Sequence, residues 1–377
     1  MVDLLVKKAV AALVLLPLFT LIAVAVPTVN AKSAVVMNAQ TGEIVFEKNA
    51  HVRCSMASTT KIMTAVLALE SGKMLETVTV TPEMTGADGT SIGLKVGYKI
   101  RLLDLLYGLM LESGNDAADA IAVYIGGIRE NFAALMNRKA AEIGMTDTNF
   151  VTASGLDDEN HYTTAYDMAL LGSYAVKKPA FREICSCKIK SVDFIEPDIK
   201  LTFSNHNRLL SSYDGAIGIK TGFTKKSGRC LVSAAERDGV CFVCVTLNDG
   251  DDWNDHRKML DFAFENVSVQ SIDVNNIYSV AVEGAAVSTV KLEPQSDFLN
   301  FSCGEKKIET KVCLPEFVYA PLKKGDAVGK IEYYIENRKV AEQGLICSAD
   351  IAANSPAPVQ KKSLFRRILE KIKLMGE

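Results

Sequence analysis

The sequence predicts an α+β fold, with helices packed on one antiparallel sheet and a small all-β domain after it. Three observations predict this. Strand-like runs occur near residue 34 and again after residue 215, a mostly helical stretch lies between them, and short alternating runs follow Ser268. At 377 residues the chain exceeds one average domain, so two domains are expected. A net charge of -3 gives no electrostatic footprint for nucleic acid, and no nucleic-acid partner is expected.

Residues 1–31 have the form of an export signal. Lys7 and Lys8 precede an apolar run from Ala9 to Val26, and the small-residue site Val29-Asn30-Ala31 follows Pro27. Cleavage after Ala31 is expected. The run is close to bilayer-spanning length, so an uncleaved anchor is the alternative, and either one places the rest of the chain outside the cytoplasm. No cysteine precedes Cys54, so the cleavage point offers no thiol for lipid attachment.

The first domain is read as residues 32–267. "SAVVMNAQTGEIVFEKN" makes two strands, Ala34 to Met37 and Glu43 to Glu47, joined by a turn at Gly42. From Ser58 to about Ala175 apolar residues recur three and four apart, as in "KIMTAVLALE", "LLDLLYGLML" and "DAADAIAVYIGG". Strand character returns in "GAIGIKTGFT", "GRCLVSAAE" and "GVCFVCVTLN", with a turn at Asp238-Gly239, and the helix "DHRKMLDFAFENV" closes the domain. The second domain, 268–349, carries "SVAVEG", "STVKLEP", "ETKVCL" and "KIEYYIENRKVAEQGL".

A polar linker, 350–362, leads to residues 363–377. There Leu364, Phe365, Ile368, Leu369, Ile372 and Met375 share one helical face, while Arg366, Arg367, Lys371 and Lys373 supply charge. A short basic amphipathic helix on an exported chain reads as an anchor to a membrane surface; the alternative is a terminal helix docked on its own domain.

Nine cysteines leave at least one without a partner in the chain. Cys241 and Cys244 have redox or metal-pair spacing, but they sit in a strand, where positions three apart face opposite ways. The cysteines are therefore read mostly as small buried apolar residues. His51, His161, His206 and His256 show no metal-ligand spacing, and no metal or organic cofactor is expected.

The chemistry concentrates at Ser58 and Lys61 in "CSMASTTKIMTAVLALE". Three apart on a helix, the lysine amine can reach the serine hydroxyl. Serine needs a base, and lysine can serve only if burial or a neighbouring cation lowers its pKa. Ile62, Met63, Ala65 and Val66 offer burial, and the helix N-terminus favours the negative charge that develops on attack at a carbonyl. By itself S-x-x-K is four common residue types. In "LMLESGNDAADAIA", Ser113-Gly114-Asn115 lies between two helical runs, where Asn115 or Asp116 can cap the second; a hydroxyl and a carboxamide there can relay a proton and orient an amide. Lys220-Thr221-Gly222 on a strand suits a carboxylate, with Gly222 allowing close backbone approach, although a lone K-T-G also fits an ordinary strand with a solvated lysine.

In this order S-x-x-K, S-x-N and K-T-G form the signature shared by penicillin-binding proteins and serine β-lactamases. "AVVMNAQTGEIVFEKNAHVRCSMASTTKIMTAVLALE", "YGLMLESGNDAADAIA", "TNFVTASGLDDENHYTTAYDMALL", "SNHNRLL" and "GIKTGFTKKSGRCLVSA" resemble the low-molecular-mass penicillin-binding proteins, the serine-type D-alanyl-D-alanine carboxypeptidases. "TVKLEP" and "LPEFVYAPLKKGDAVGKIEYY" are similar to that family's C-terminal β-domain, and the tail to its membrane anchor. The resemblance implies a transpeptidase-like domain on a five-stranded antiparallel sheet. It implies Ser58 as the acylated nucleophile, Lys61 as its base, Lys220 helping to keep Lys61 neutral, and Ser113 passing a proton to the leaving D-alanine. Asn115 would hold the substrate amide, Lys220 and Thr221 the terminal carboxylate, and the backbone N–H groups of Ser58 and Phe223 the oxyanion. The implied substrate is a peptidoglycan stem peptide ending in D-Ala-D-Ala, with β-lactams as covalent inhibitors, and the implied location is the outer face of the cytoplasmic membrane or the cell wall.

A class A β-lactamase shares the three motifs but also needs a glutamate for deacylation, and Glu159 and Glu183 lack that motif's Glu-x-x-Leu-Asn setting. A non-catalytic wall-binding protein would more naturally have lost Ser58 or Lys61. Gly89-Thr90-Ser91-Ile92-Gly93 satisfies G-x-S-x-G, but its flanks are loop and turn rather than strand and helix, so the match is read as accidental.

Overall fold

The computed structural model describes residues 26–266, 269–273, 276–296, 298–302 and 306–354. The first domain is built on a five-stranded antiparallel sheet in which the N-terminal hairpin, β1 (Ser33–Asn38) and β2 (Ile44–Lys48), joins strands nearly two hundred residues later. Two short hairpins lie outside this sheet: β3 (Thr77–Thr79) with β4 (Lys99–Arg101), and β5 (Ile189–Asp193) with β6 (Lys200–Ser204). The main sheet continues with β7 (Ala216–Thr224), β8 (Gly228–Arg237) and β9 (Val240–Leu247), in the order β2-β1-β9-β8-β7. β7 is thus an edge strand.

Helices cover both faces. On one lie α1 (Lys61–Glu70), α2 (Leu102–Leu111), α3 (Asn115–Gly126), α4 (Arg129–Ile143), α5 (Ala165–Val176) and α6 (Pro179–Ser186), around a core that includes Val35, Met37, Ile219, Val232 and Val243. After the single-turn α7 (Leu209–Ser212), α8 (Asp252–Asn266) covers the other face, packing Met259, Leu260 and Ala263 on Val36, Phe242 and Cys244. Burial on both faces explains why β9 reads as an unbroken apolar run rather than an alternating one. It also separates the cysteine pair: Cys241 joins the α1–α6 side and Cys244 the α8 side.

The second domain follows as β10 (Val269–Asp273), β11 (Tyr278–Glu283), β12 (Thr289–Pro294), β13 (Phe298–Ser302), β14 (Ile308–Cys313), β15 (Phe317–Tyr319), β16 (Ala327–Ile335) and β17 (Arg338–Cys347). Six of these form one sheet in the order β14-β16-β17-β12-β11-β15. Their alternating inward residues, Val280, Val282, Val290, Leu292, Ile331, Tyr333 and Leu345, make a separate core. The run read as one continuous stretch, "KIEYYIENRKVAEQGL", is a hairpin, turned by Glu336 and Asn337 at φ 51° and 64°.

Two differences from the sequence reading concern segment ends. Val29 and Ala31, placed within the export signal, are buried against the α8 side, where the Asn30 N–H donates to the Asp255 carboxylate. Residues 350–354, placed in the linker, still pair with the β-domain: Ile351 bridges Leu322, Ala353 bridges Ala285, and the Asn354 N–H donates to the Gly284 carbonyl at 2.7 Å. Residues 1–25 and the amphipathic tail at 363–377 lie outside the described residues. Among the described residues no helix is long and apolar enough to cross a membrane.

Candidate active site

Ser58 is not on the helix itself but on a 3₁₀ turn, Ala57–Thr60, that runs directly into α1, of which Lys61 is the first residue. The turn is held from inside. The Thr59 hydroxyl donates to the Met56 carbonyl at 2.6 Å and the Thr60 hydroxyl to the Ala57 carbonyl at 2.8 Å. From outside, Gly155 presses against it at φ 87°, where a Cβ would lie 1.9 Å from the Ala57 carbonyl oxygen. Glycine is therefore required there on two grounds, backbone conformation and space. His161, buried, accepts the Val151 N–H on Nδ1 at 2.9 Å, which leaves Nε2 to carry the proton and donate to Thr60 Oγ1 at 2.8 Å. Burial pushes this imidazole down to about 4, so it is a neutral structural brace.

Lys61 has no solvent exposure, and its Nζ lies 2.9 Å from Ser58 Oγ, 2.7 Å from Asn115 Oδ1 and 2.7 Å from the Ser154 carbonyl oxygen. Its pKa lies well below the ordinary lysine value, first through burial and then through repulsion from Lys220, with Asp119 and Asp116 opposing. Lys220 is itself buried and is pushed down to about 7 by burial. The reading of this lysine as an ordinary solvated strand residue therefore does not hold.

The S-x-N segment links α2 to α3. Ser113 stands at φ 61° and lines the cleft with Ser58. Asn115 begins α3; while its Oδ1 accepts from Lys61, its Nδ2 donates to the Asp88 carbonyl at 2.6 Å. Asp116 does not cap the helix in the expected sense, because Gly114 occupies the cap position. Its carboxylate instead gathers the loop before α2, accepting from Ser91 Oγ at 2.6 Å, the Ile92 N–H at 3.0 Å and the Leu94 N–H at 2.9 Å. The G-x-S-x-G match is thus a wall segment tied to Asp116, with Ser91 occupied by that bond.

Thr221 and Gly222 on β7 line the same cleft, and Phe223 beside them is exposed. The close approach that Gly222 allows is to the protein's own Ser58 turn: a Cβ there would lie 3.0 Å from the Ser58 nitrogen and 3.1 Å from the Thr59 nitrogen. Ser58, Ser113, Thr221 and Gly222 therefore share one cleft of about 570 Å³, with Lys61 and Asn115 behind Ser58. The sequence reading missed its outer wall of Thr90, His206, Arg208, Arg229, Asp252 and Trp253. Arg229 forms a forked pair with Asp252, and the Arg208 and Arg229 guanidinium groups both lie 6.0 Å from the Trp253 ring centre. The only sequence hints were the arginine in "SNHNRLL" and the single tryptophan.

Residues 20–251 match the family model for D-alanyl-D-alanine carboxypeptidase, and residues 264–353 match that for the penicillin-binding protein 5 C-terminal domain. The chain is 30% identical to D-alanyl-D-alanine carboxypeptidase DacF of Bacillus subtilis, over 85% of this chain and 86% of that one. It is 31% identical to DacC of Escherichia coli, over 86% of this chain and 85% of that one. Among solved structures, penicillin-binding protein 5 of Haemophilus influenzae superposes with a TM-score of 0.62 at 28% identity, covering 87% of this chain and 99% of that chain. A point mutant of the Streptomyces K15 DD-transpeptidase gives 0.61 at 32% identity, covering 63% and 99%. With the three motifs assembled in one cleft, on this sheet and ahead of this β-domain, the chain belongs to the D-alanyl-D-alanine carboxypeptidase family.

Proposed function

We propose that the protein is a serine-type D-Ala-D-Ala carboxypeptidase that removes the terminal D-alanine of peptidoglycan stem peptides through an acyl-enzyme on Ser58. The observation that carries this reading is the set of three partners around Lys61 Nζ. Two of them, Asn115 Oδ1 and the Ser154 carbonyl, can only accept. A neutral amine points its two N–H bonds at these, so its lone pair is left facing the Ser58 hydroxyl, which is the arrangement a base needs.

Lys61 takes the Ser58 proton as Oγ attacks the scissile carbonyl, and the backbone N–H groups of Ser58 and Phe223 stabilise the oxyanion. Ser113 passes a proton to the leaving amine of D-alanine. The terminal carboxylate is held at Lys220 and Thr221, and Arg208 and Arg229 on the cleft wall add positive charge on that side. Asn115 positions Lys61 in the free enzyme; to hold the substrate amide as expected, its Nδ2 has to exchange the Asp88 carbonyl for the substrate. Water completes the cycle by hydrolysing the acyl-enzyme. Penicillins, which mimic D-Ala-D-Ala, acylate the same serine and leave it slowly.

The export signal, with the remainder outside the cytoplasm, and the basic amphipathic tail support a place at the outer face of the membrane. The test is the mass of the protein after exposure to benzylpenicillin: a stable adduct mapped to the peptide containing Ser58 is expected. Its absence, or an adduct that survives Ser58→Ala, contradicts the reading.

A further inference from the structure

The Ser58 cleft does not end at its arginine wall. A second cavity, of about 380 Å³, adjoins it, and Arg208, Arg229 and Trp253 line both. Asp251 and the first turns of α8, with Asn254 and Arg257, line the rest. Three guanidinium groups thus stand against one carboxylate, and their partners leave most of the positive charge uncompensated. Arg257 donates to Ser212 Oγ at 3.0 Å and to Asn254 Oδ1 at 3.4 Å, both neutral. Arg208 lies over Trp253 and has no carboxylate partner among the described residues. Arg229 is paired with Asp252 through Nε and Nη2, which leaves Nη1 for a ligand. The Asp251 carboxylate is itself engaged, accepting from Asn254 Nδ2 at 2.9 and 3.0 Å.

With the terminal carboxylate of a peptide at Thr221, on the Arg208 and Arg229 side, the terminal residue stands where the two cavities meet. Its amide nitrogen leads to Ser58 and its carboxylate to Thr221, so its side chain is left for the remaining direction. We propose that the second cavity receives this side chain and selects a carboxylate at its end, so that the enzyme releases terminal D-glutamate as well as D-alanine, with Arg257 setting the preference. The inference rests on the carboxypeptidase reading and concerns the leaving residue alone. A methyl group offers nothing to a guanidinium, so release of D-alanine does not depend on Arg257. A side-chain carboxylate gives that guanidinium the charged acceptor it lacks, and a carboxamide of the same shape forgoes the charge.

The experiment compares kcat/KM of the full chain for three stem peptides that differ only at the end: D-Ala-D-Glu, D-Ala-D-Gln and D-Ala-D-Ala. The wild-type protein is expected to favour D-glutamate over D-glutamine by about tenfold, mainly through KM. Arg257→Gln should cut that ratio to under about threefold while D-alanine release stays within about twofold of wild type. The ratio is insensitive to general loss of folded enzyme. Trp253 is the chain's only tryptophan and lines both cavities, so in Ser58→Ala its fluorescence should report tighter binding of the D-glutamate peptide than of the D-glutamine one, without turnover. Release of D-alanine but of neither longer residue, equal rates for D-glutamate and D-glutamine, or a preference unmoved by Arg257→Gln would overturn the assignment of the cavity. Release from none of the three peptides would overturn the carboxypeptidase reading, and this inference with it.

Discussion

Lys61 Nζ and Ser58 Oγ stand 2.9 Å apart, and the same nitrogen is fixed from behind by Asn115 and Ser154. Because the lysine is fully buried, its position does not depend on a flexible side chain finding the serine. Lys61→Arg puts a fixed positive charge there and cannot give up its proton at ordinary pH, so it offers no lone pair to Ser58. Acylation of Ser58 by benzylpenicillin should fall by roughly 10²- to 10⁴-fold, the usual contribution of a positioned base. A rate within a few-fold of wild type would remove Lys61 from that role.

The pH dependence follows from the direction of the lysine shifts. A base with a depressed pKa keeps its neutral form to lower pH, so activity that needs neutral Lys61 is present above that pKa and lost as pH falls through it. Lys220 contributes by repulsion. Lys220→Met should therefore move the acid limb of the acylation rate to higher pH. A limb that stays in place would show that burial alone sets the state of Lys61.

Gly155 fixes the floor of the turn that carries Ser58. Gly155→Ala places a methyl group against the Ala57 carbonyl at a backbone angle of φ 87°. Loss of about 3 kcal/mol of stability is expected, together with lower activity in the fraction that remains folded. Calorimetry beside an acylation assay separates the two; an unchanged melting temperature would contradict the packing described.

His256 bridges α8 and the sheet, with Nδ1 2.6 Å from Ser233 Oγ and Nε2 3.0 Å from Thr246 Oγ1, and burial pushes it down to about 3. In the unfolded chain it titrates near 6.5, so as pH falls below that value the unfolded state gains a proton that the folded state refuses. Stability is lost over that window. His256→Gln should flatten the decline by about one proton relative to wild type, read from urea midpoints between pH 6.5 and 4. Parallel pH curves would contradict a buried neutral imidazole.

Much of this was legible because side-chain types carry it. The strand and helix periods and the opposite faces of Cys241 and Cys244 follow from residue type and spacing, and the meeting of the three motifs is what the family resemblance implies. What stayed hidden is mostly backbone and long-range. The Ser154 carbonyl that holds Lys61 has no signature in residue type, and Gly155 shows its purpose only beside Ala57. Arg208 and Arg229 share a wall with Trp253 only after α7, β8 and α8 have packed. The burial of Val29 and Ala31 likewise depends on α8, more than two hundred residues later.

That burial gives the expected signal cleavage a structural consequence. Cleavage after Ala31, the reading of the signal, removes the Asn30 bond to Asp255 and the packing of Val29. The intact mass of secreted protein is expected to show Lys32 as the first residue; a start that retains Val29 would place the cleavage upstream of this packed segment.

The central claim is tested most directly by the mass of a stem-type peptide ending in D-Ala-D-Ala after incubation with the purified protein, beside Ser58→Ala. Loss of a single alanine with wild type and none with the variant is the predicted result. No loss with either, or rapid turnover of penicillin in place of a stable Ser58 adduct, would contradict it.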